Sequence, residues 1–170
     1  GAQFLNDLAA AADGTVYVSD STTLKIYQVR SGKASVFVEG GDVVEQPNGL
    51  LVDGGRLILG SVGPAPQPGQ APGPGRGQGP PPSGHLFAFD LRTKARTMLT
   101  AEPVGGIDGI ELDGKGGLLV TDVIGQRLLQ VAPSGTAAAS CWRTAASTAR
   151  ASPWVTLITV SRAPNAPARP

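Results

Sequence analysis

The chain has 170 residues, with 24 Gly, 15 Pro, one Cys and a formal net charge of +1. A single Cys excludes an internal disulfide framework. No apolar run approaches the ~20 residues of a membrane-spanning helix, which argues against a membrane partner. The near-neutral charge, without a stripe of Lys and Arg, argues against a nucleic-acid partner. The length allows one domain of ordinary size.

Three segments of the chain resemble one another. Each begins with a polar residue (Asn6, Asn48 or Asp108), continues as a short apolar strand, and reaches a second strand through an Asp-Gly turn. The first two starting points lie 42 residues apart, and the last two lie 60 apart, or 40 without the 20-residue insert 64–83. A repeat of ~40–45 residues is typical of a four-stranded propeller blade.

Each repeat contains four predicted strands, separated by turn signals. Residues 1–135 show no sustained apolar spacing of the helical kind, so the fold class is predicted as all-β. The chain is therefore predicted to form a partial β-propeller of three blades, at about 5–40, 48–101 and 108–140. The predicted strands are 6–11, 15–20, 25–30 and 34–39, then 49–53, 56–62, 85–91 and 95–101, then 109–112, 117–123, 127–132 and 136–140.

Two segments depart from this pattern. Residues 64–83 hold eight Pro and five Gly, which predicts a disordered insert that cannot form a ladder. Residues 136–170 contain no Asp, Glu or Lys but hold four Arg, both Trp and the only Cys. This abrupt change favours a frame-shifted tail over an ordinary disordered basic tail.

The residues that open the three repeats are the candidate site. In a propeller they would lie at one mouth of the central channel, just before each innermost strand. Amide and carboxylate oxygens suit Ca²⁺, Mg²⁺ or Mn²⁺, with Zn²⁺ tolerated. The alternative is that these Asn and Asp residues are simple turn residues, because Asn-Gly and Asp-Gly are common turn dipeptides.

Three stretches carry a family resemblance: FLNDLAAAADGTVYVSDS, QPNGLLVDGGRLILGSV and GGIDGIELDGKGGLLVTD. They resemble consecutive blades of the gluconolactonase / senescence-marker-protein (regucalcin) family of six-bladed propellers, particularly its bacterial gluconolactonase-like branch. The resemblance implies a divalent metal, Ca²⁺ by preference, held by Asn48, Asp108 and a Glu from an early blade. It also implies metal-dependent hydrolysis of a lactone or sugar-like ligand, with Asp108 catalytic and Asn6 binding substrate.

The departures from that family matter as much. The early-blade Glu has no counterpart, and Glu39 and Glu45 lie at a blade's outer end or in the following connection. We therefore expect weak or absent metal binding and no hydrolysis by this chain alone, and whether it is an enzyme stays open. The alternative is a non-catalytic NHL-like propeller that binds a ligand or protein on its face.

Three blades make half of a six-bladed ring. The chain is predicted to be a fragment, or to self-associate so that two half-rings pair. The single His, His85, is predicted as a solvated residue at a strand end. No signal segment identifies the compartment, and the resemblance only favours a periplasmic or secreted bacterial protein.

Overall fold

A computed structural model describes residues 1–40, 45–64, 84–133 and 137–138, the last pair by backbone alone. These residues form twelve β-strands and no helix, so this part of the chain has no helix that could cross a membrane. The strands are β1 (Leu5–Ala10), β2 (Val16–Asp20), β3 (Lys25–Arg30), β4 (Lys33–Glu39), β5 (Pro47–Asp53), β6 (Arg56–Ser61), β7 (Leu86–Asp90), β8 (Arg96–Met98), β9 (Ile107–Leu112), β10 (Leu118–Asp122), β11 (Arg127–Val131) and β12 (Ala137–Ala138).

The strands form three sheets of four, each an antiparallel meander in chain order. The first blade is β1–β4, the second β5–β8 and the third β9–β12. The predicted all-β class and the division into three four-stranded units are confirmed, with every strand end within three residues of its prediction. The insert 64–83, apart from Pro64, and the tail 136–170, apart from β12, lie outside the described residues, so the predictions for them stay predictions.

The second blade buries both of its faces, which fixes the order of the blades in space. Alternate residues of a strand point to opposite faces, and Leu57 and Leu59 of β6 pack with Phe87 and Phe89 toward the first blade. Ile58 between them faces the third blade. The alternation therefore joins three sheets through two apolar cores.

An aspartate ends the second strand of the first blade and fastens the strands around it. Asp20 is fully buried. Its carboxylate accepts hydrogen bonds from the backbone N–H groups of Gln3 (2.8 Å), Phe4 (3.1 Å), Thr22 (3.1 Å) and Thr23 (3.0 Å). It therefore caps the β2–β3 turn and also holds the segment that enters β1.

Asp122 has the same role at the end of β10 in the third blade. Its carboxylate accepts hydrogen bonds from the N–H groups of Gly106 (2.9 Å) and Gly125 (2.8 Å) and from Arg127 Nε (2.8 Å). In the first and third blades, a buried aspartate at the end of the second strand thus bonds both to the segment before the first strand and to the turn that follows the second.

The buried carboxylate of Asp20 should make stability depend on acid pH. Burial alone would raise its pKa, but the N–H donors of Thr23, Gln3 and Phe4 outweigh burial and lower the pKa to about 2 from 3.8. The pKa of Asp20 is lower in the folded than in the unfolded state. Its ionised carboxylate therefore stabilises the fold fully above pH 3.8, and this stabilisation is lost as pH falls toward 2. The shift corresponds to about 2 kcal/mol.

Urea unfolding of the wild type and Asp20→Asn, compared at neutral and acid pH, measures this contribution. We expect the wild type to be more stable at neutral pH and the difference to shrink as the carboxylate protonates. A difference that stays constant down to about pH 2 would contradict the assignment, since the amide does not titrate.

Candidate functional site

The innermost strand of each blade carries the same irregularity. In each, two residues lie opposite one residue of the neighbouring strand, which is a β-bulge. The flanking pairs are Leu5↔Asp20 and Leu8↔Val18, Pro47↔Ser61 and Leu50↔Leu59, and Ile107↔Asp122 and Ile110↔Val120. The first bulged residue is Asn6, Asn48 and Asp108, respectively. All three predicted site residues therefore occupy one structural position, and a bulge re-aims the side chain that it carries.

The three bulged strands lie next to one another, with β5 in contact with both β1 and β9. Gly49 packs directly on the third blade, since a Cβ built on it would lie 1.9 Å from the Asp108 carbonyl oxygen. On the other side, the Ser21 hydroxyl donates a hydrogen bond to the Pro47 carbonyl oxygen at 2.6 Å. The structure therefore places Asn48 between the bulges that carry Asn6 and Asp108.

Asn6 is exposed, and one end of its amide is held in place. Its Nδ2 donates a hydrogen bond to Ser21 Oγ at 3.0 Å. Because the two polar atoms of a planar amide point in different directions, Oδ1 faces away from Ser21 and can accept a hydrogen bond. Asn6 can thus offer an exposed hydrogen-bond acceptor at the first bulge.

Asn48 is 5% exposed, and its Oδ1 is buried without a hydrogen-bond partner among the described residues. Its backbone is held, because Ser19 Oγ donates to the Asn48 carbonyl oxygen at 2.8 Å. An unsatisfied buried acceptor costs about 1–3 kcal/mol. An amide oxygen in this state is suited to a cation or to a hydrogen-bond donor that is brought by a ligand.

Asp108 presents an exposed carboxylate at the third bulge. The backbone of the next residue, Gly109, is held in place because its N–H donates a hydrogen bond to Thr121 Oγ1 at 2.7 Å. Within the described ranges, no group of three or more His, Cys, Asp or Glu side chains is placed to hold a metal ion. The three bulged positions thus carry two amide side chains and one carboxylate.

In two of the three blades, a side-chain hydroxyl opposite the bulge accepts a hydrogen bond from the bulged strand. Ser19 Oγ accepts the Asp7 N–H at 3.0 Å, as Thr121 Oγ1 accepts that of Gly109. The second blade has Gly60 at the corresponding position. Sequence reasoning missed Ser19 and Thr121, although aligning the three repeats on their second strands would have placed them in one column.

Asp7 makes a third hydrogen bond between the first two blades. Its Oδ2 accepts a hydrogen bond from the Leu50 N–H at 2.8 Å. Together with Ser19 and Ser21, it gives the first blade three hydrogen bonds to β5. The strand that carries Asn48 is therefore bonded to the first blade as well as paired with β6.

His85 is not solvated, so that prediction is wrong. Its side chain is only 17% exposed, and Nδ1 lies 3.1 Å from the Glu45 carboxylate. Ser61 Oγ donates to the same carboxylate and accepts the His85 N–H at 2.9 Å. Glu45 is thus engaged with Ser61 and His85, and Glu39 pairs with Lys25 at 2.8 Å. That neither glutamate replaces the missing family ligand stays a prediction.

Comparison with known proteins identifies the fold and nothing finer. No family model matches the sequence, and no curated protein matches it. One similar solved structure is a nidogen/laminin complex, with 18% identity and a TM-score of 0.56 over 78% of this chain and 46% of that chain. Another is a protein of Thermus thermophilus assigned as an oxidoreductase (glucose dehydrogenase), with 16% identity and a TM-score of 0.52 over 79% and 45%.

Both similar structures are β-propellers, so the prediction of a partial propeller is confirmed. The chain spans about half the length of each one, 46% and 45%. At 18% and 16% identity, the likeness concerns the fold alone. The three bulges lie on the innermost strands of this partial propeller.

Proposed function

We propose that the three bulges form one side of a ligand site in a propeller channel, of the kind that gluconolactonase-like proteins use for metal-dependent lactone hydrolysis. The observation that carries this proposal is the buried, unpartnered Oδ1 of Asn48 between Asn6 and Asp108. A turn residue has no need of a buried acceptor without a partner, and such groups are rare in native proteins.

Asn48 and Asp108 are the residues that would hold the divalent cation, Ca²⁺ by preference, through an amide and a carboxylate oxygen. When bound, such a cation polarises an ester carbonyl and lowers the pKa of a coordinated water. Asp108 is exposed, so its carboxylate can also take a proton from an attacking water. Asn6 accepts a hydrogen bond from a sugar-like hydroxyl through Oδ1 and so orients the ligand.

The chain supplies too few ligands for a strong site. Hard cations such as Ca²⁺ take 6–8 oxygen ligands, and charged oxygens raise affinity. The two side chains proposed as ligands provide one charge. We therefore propose weak binding by this chain alone and no measurable lactone hydrolysis without a further carboxylate from outside it.

A calcium titration of the ¹⁵N-labelled chain, followed by NMR, tests the site. We expect saturable shifts of the Asn48 side-chain amide and the Asp108 backbone amide at about millimolar Ca²⁺, the range of weak extracellular sites. Asp108→Ala should weaken binding at least about tenfold, because it removes the only charged side chain of the two proposed ligands. Asn6→Ala is the matched control and should leave the affinity unchanged, since Asn6 contacts the organic ligand.

The outcomes separate the parts of the proposal. A parallel titration with NaCl at equal ionic strength is the reference. If CaCl₂ shifts the Asn48 amide no more than NaCl does, the proposed cation site is wrong. Tight, stoichiometric Ca²⁺ or Zn²⁺ binding that Asp108→Ala abolishes would overturn the claim that the site is incomplete. Lactone hydrolysis above the buffer rate, lost in Asp108→Ala, would overturn it as well.

A non-catalytic, NHL-like binding propeller is the second candidate. The described residues favour it in one respect, because they hold no group of three or more metal-ligating His, Cys, Asp or Glu side chains. One similar fold also comes from a complex between two proteins, nidogen and laminin. A carboxylate that reaches Asn48 and Asp108 from another blade would favour the enzyme, whereas an apolar residue there would favour binding.

A further inference from the structure

The third blade shows which side of each blade is built to receive the preceding blade. Its inner residues are at most 8% exposed, because they pack against the second blade. Strand pairing gives every one of them a counterpart in the first blade. In the third blade these residues are Ile110, Leu118, Val120, Leu129 and Val131, and in the first blade they are Leu8, Val16, Val18, Tyr27 and Val29.

In the first blade this receiving face is open. Leu8 is 63% exposed, and the other four residues are half-buried. All five are apolar or aromatic, as are the buried counterparts. A contiguous apolar face of this kind on a soluble domain marks a contact surface.

The opposite face of each blade packs onto the following blade. In the first blade this face includes Tyr17, Ser19 and Ile26, which are at most 5% exposed against the second blade. The third blade has Leu119, Thr121 and Leu128 at the same positions of the pairing pattern. There they are half-buried or exposed, since the structure describes no following blade. Among the described residues, the third blade therefore carries a donating face that no other blade covers.

We propose that the donating face of one copy docks on the receiving face of a second copy, so that two copies close one propeller ring. The two faces fit because they reproduce the pairing already made twice within the chain. In the first of those pairings, Ser19 Oγ donates to the Asn48 carbonyl oxygen. Thr121 stands where Ser19 stands, and Asn6 stands where Asn48 stands. The Thr121 hydroxyl would therefore donate to the partner copy's Asn6 carbonyl oxygen.

The size of the ring supports a second copy as the occupant. The matched part of this chain covers 46% and 45% of the two similar propeller chains, so two copies would match about nine-tenths of such a chain. Each copy has one donating and one receiving face, so a twofold rotation satisfies all four faces and closes the assembly. This inference does not depend on the proposed function, because ring closure needs no cation.

Light scattering of the full chain during size-exclusion chromatography measures the assembly directly. We expect a mass twice the 17.2 kDa of the chain. Val18→Glu on the receiving face and Leu119→Lys on the donating face should each give monomers. Either change buries an unpaired charge at both contacts of the ring, and this should raise the dissociation constant at least about a hundredfold. Met98→Lys, at an exposed residue of β8 on neither open face, should remain dimeric.

Mixing the two monomeric variants tests the direction of docking. The mixture should regain the dimer mass, because one contact is then wild type on both sides and the other pairs Glu with Lys. A dimer that survives Leu119→Lys would overturn the proposal in favour of a symmetric contact between two first blades. A monomeric wild type, or variants that stay monomeric when mixed while circular dichroism shows intact β-structure, would also overturn it.

Discussion

Gly49→Ala is expected to lower the free energy of unfolding by about 3 kcal/mol, at the upper end of the range for overpacked sites. The added Cβ would lie 1.9 Å from the Asp108 carbonyl oxygen and 2.9 Å from its carbonyl carbon. Both atoms belong to the backbone, so no side chain can rotate to make room. The second and third blades would have to separate at the strands that carry Asn48 and Asp108. Urea unfolding of the variant against the wild type measures the loss.

Gly55→Ala is the matched control in the same hairpin. A Cβ built on Gly55 meets nothing within 4 Å, so this substitution should stay within about 0.5 kcal/mol of the wild type. Equal stabilities for the two variants would show that the β5–β9 contact is looser than the structure has it. Gly49→Ala should also remove the Ca²⁺ response of the Asn48 amide under conditions in which the variant remains folded.

The strands were predictable because their signals are local. Gly14, Gly54 and Gly114 each follow an Asp and take positive φ values of 82°, 58° and 72° in the turn between the first two strands of their blade. A glycine adopts this conformation without steric cost, so a repeated Asp-Gly marks a repeated turn. Strand bounds follow once the turns are known.

The bulges could not be predicted, because a bulge is a property of register between two strands. The sequence places Asn6, Asn48 and Asp108 before an apolar run in the same way whether the ladder is regular or bulged. Only the pairing shows that the three side chains share one displaced position. The equivalence of the three positions was therefore predictable, whereas the bulge at each of them was not.

The pairing of His85 with Glu45 was unpredictable for a different reason. Its partner Glu45 is 40 residues away in sequence, on the other side of the insert. A single His at a strand end has no local feature that distinguishes a solvated residue from a paired one. Their contact depends on β5 and β7 both lying beside β6, and this order is known only from the sheet.

The position opposite the bulge holds Ser19, Gly60 and Thr121 in the three blades, and its role differs in the second blade. Ser19 and Thr121 fasten the bulge of their own blade, but Gly60 has no side chain to do so. A Cβ on Gly60 would lie 2.2 Å from Ile107 Cγ2, so the space is already filled by the third blade. The second blade has thus replaced a hydroxyl contact by close packing of a fully buried isoleucine.

Ile107→Ala should therefore lower the free energy of unfolding by about 3 kcal/mol, within the range for large-to-small changes in a core. Ile107 is 0% exposed and packs in the core between the second and third blades. Gly60→Ala should cost about 2 kcal/mol through overpacking against that side chain. In the double variant the new methyl group fills part of the cavity, so the combined loss should be smaller than the sum by about 1 kcal/mol or more.

A double-mutant cycle in urea measures this coupling. Ile26→Ala is the matched control, because Ile26 is also 0% exposed but belongs to the core between the first and second blades. Its combination with Gly60→Ala should be additive to within about 0.5 kcal/mol. Equal coupling energies for the Ile107 and Ile26 cycles would contradict this explanation of Gly60. In that case, close packing of Ile107 on Gly60 would not be what stabilises the contact between the second and third blades.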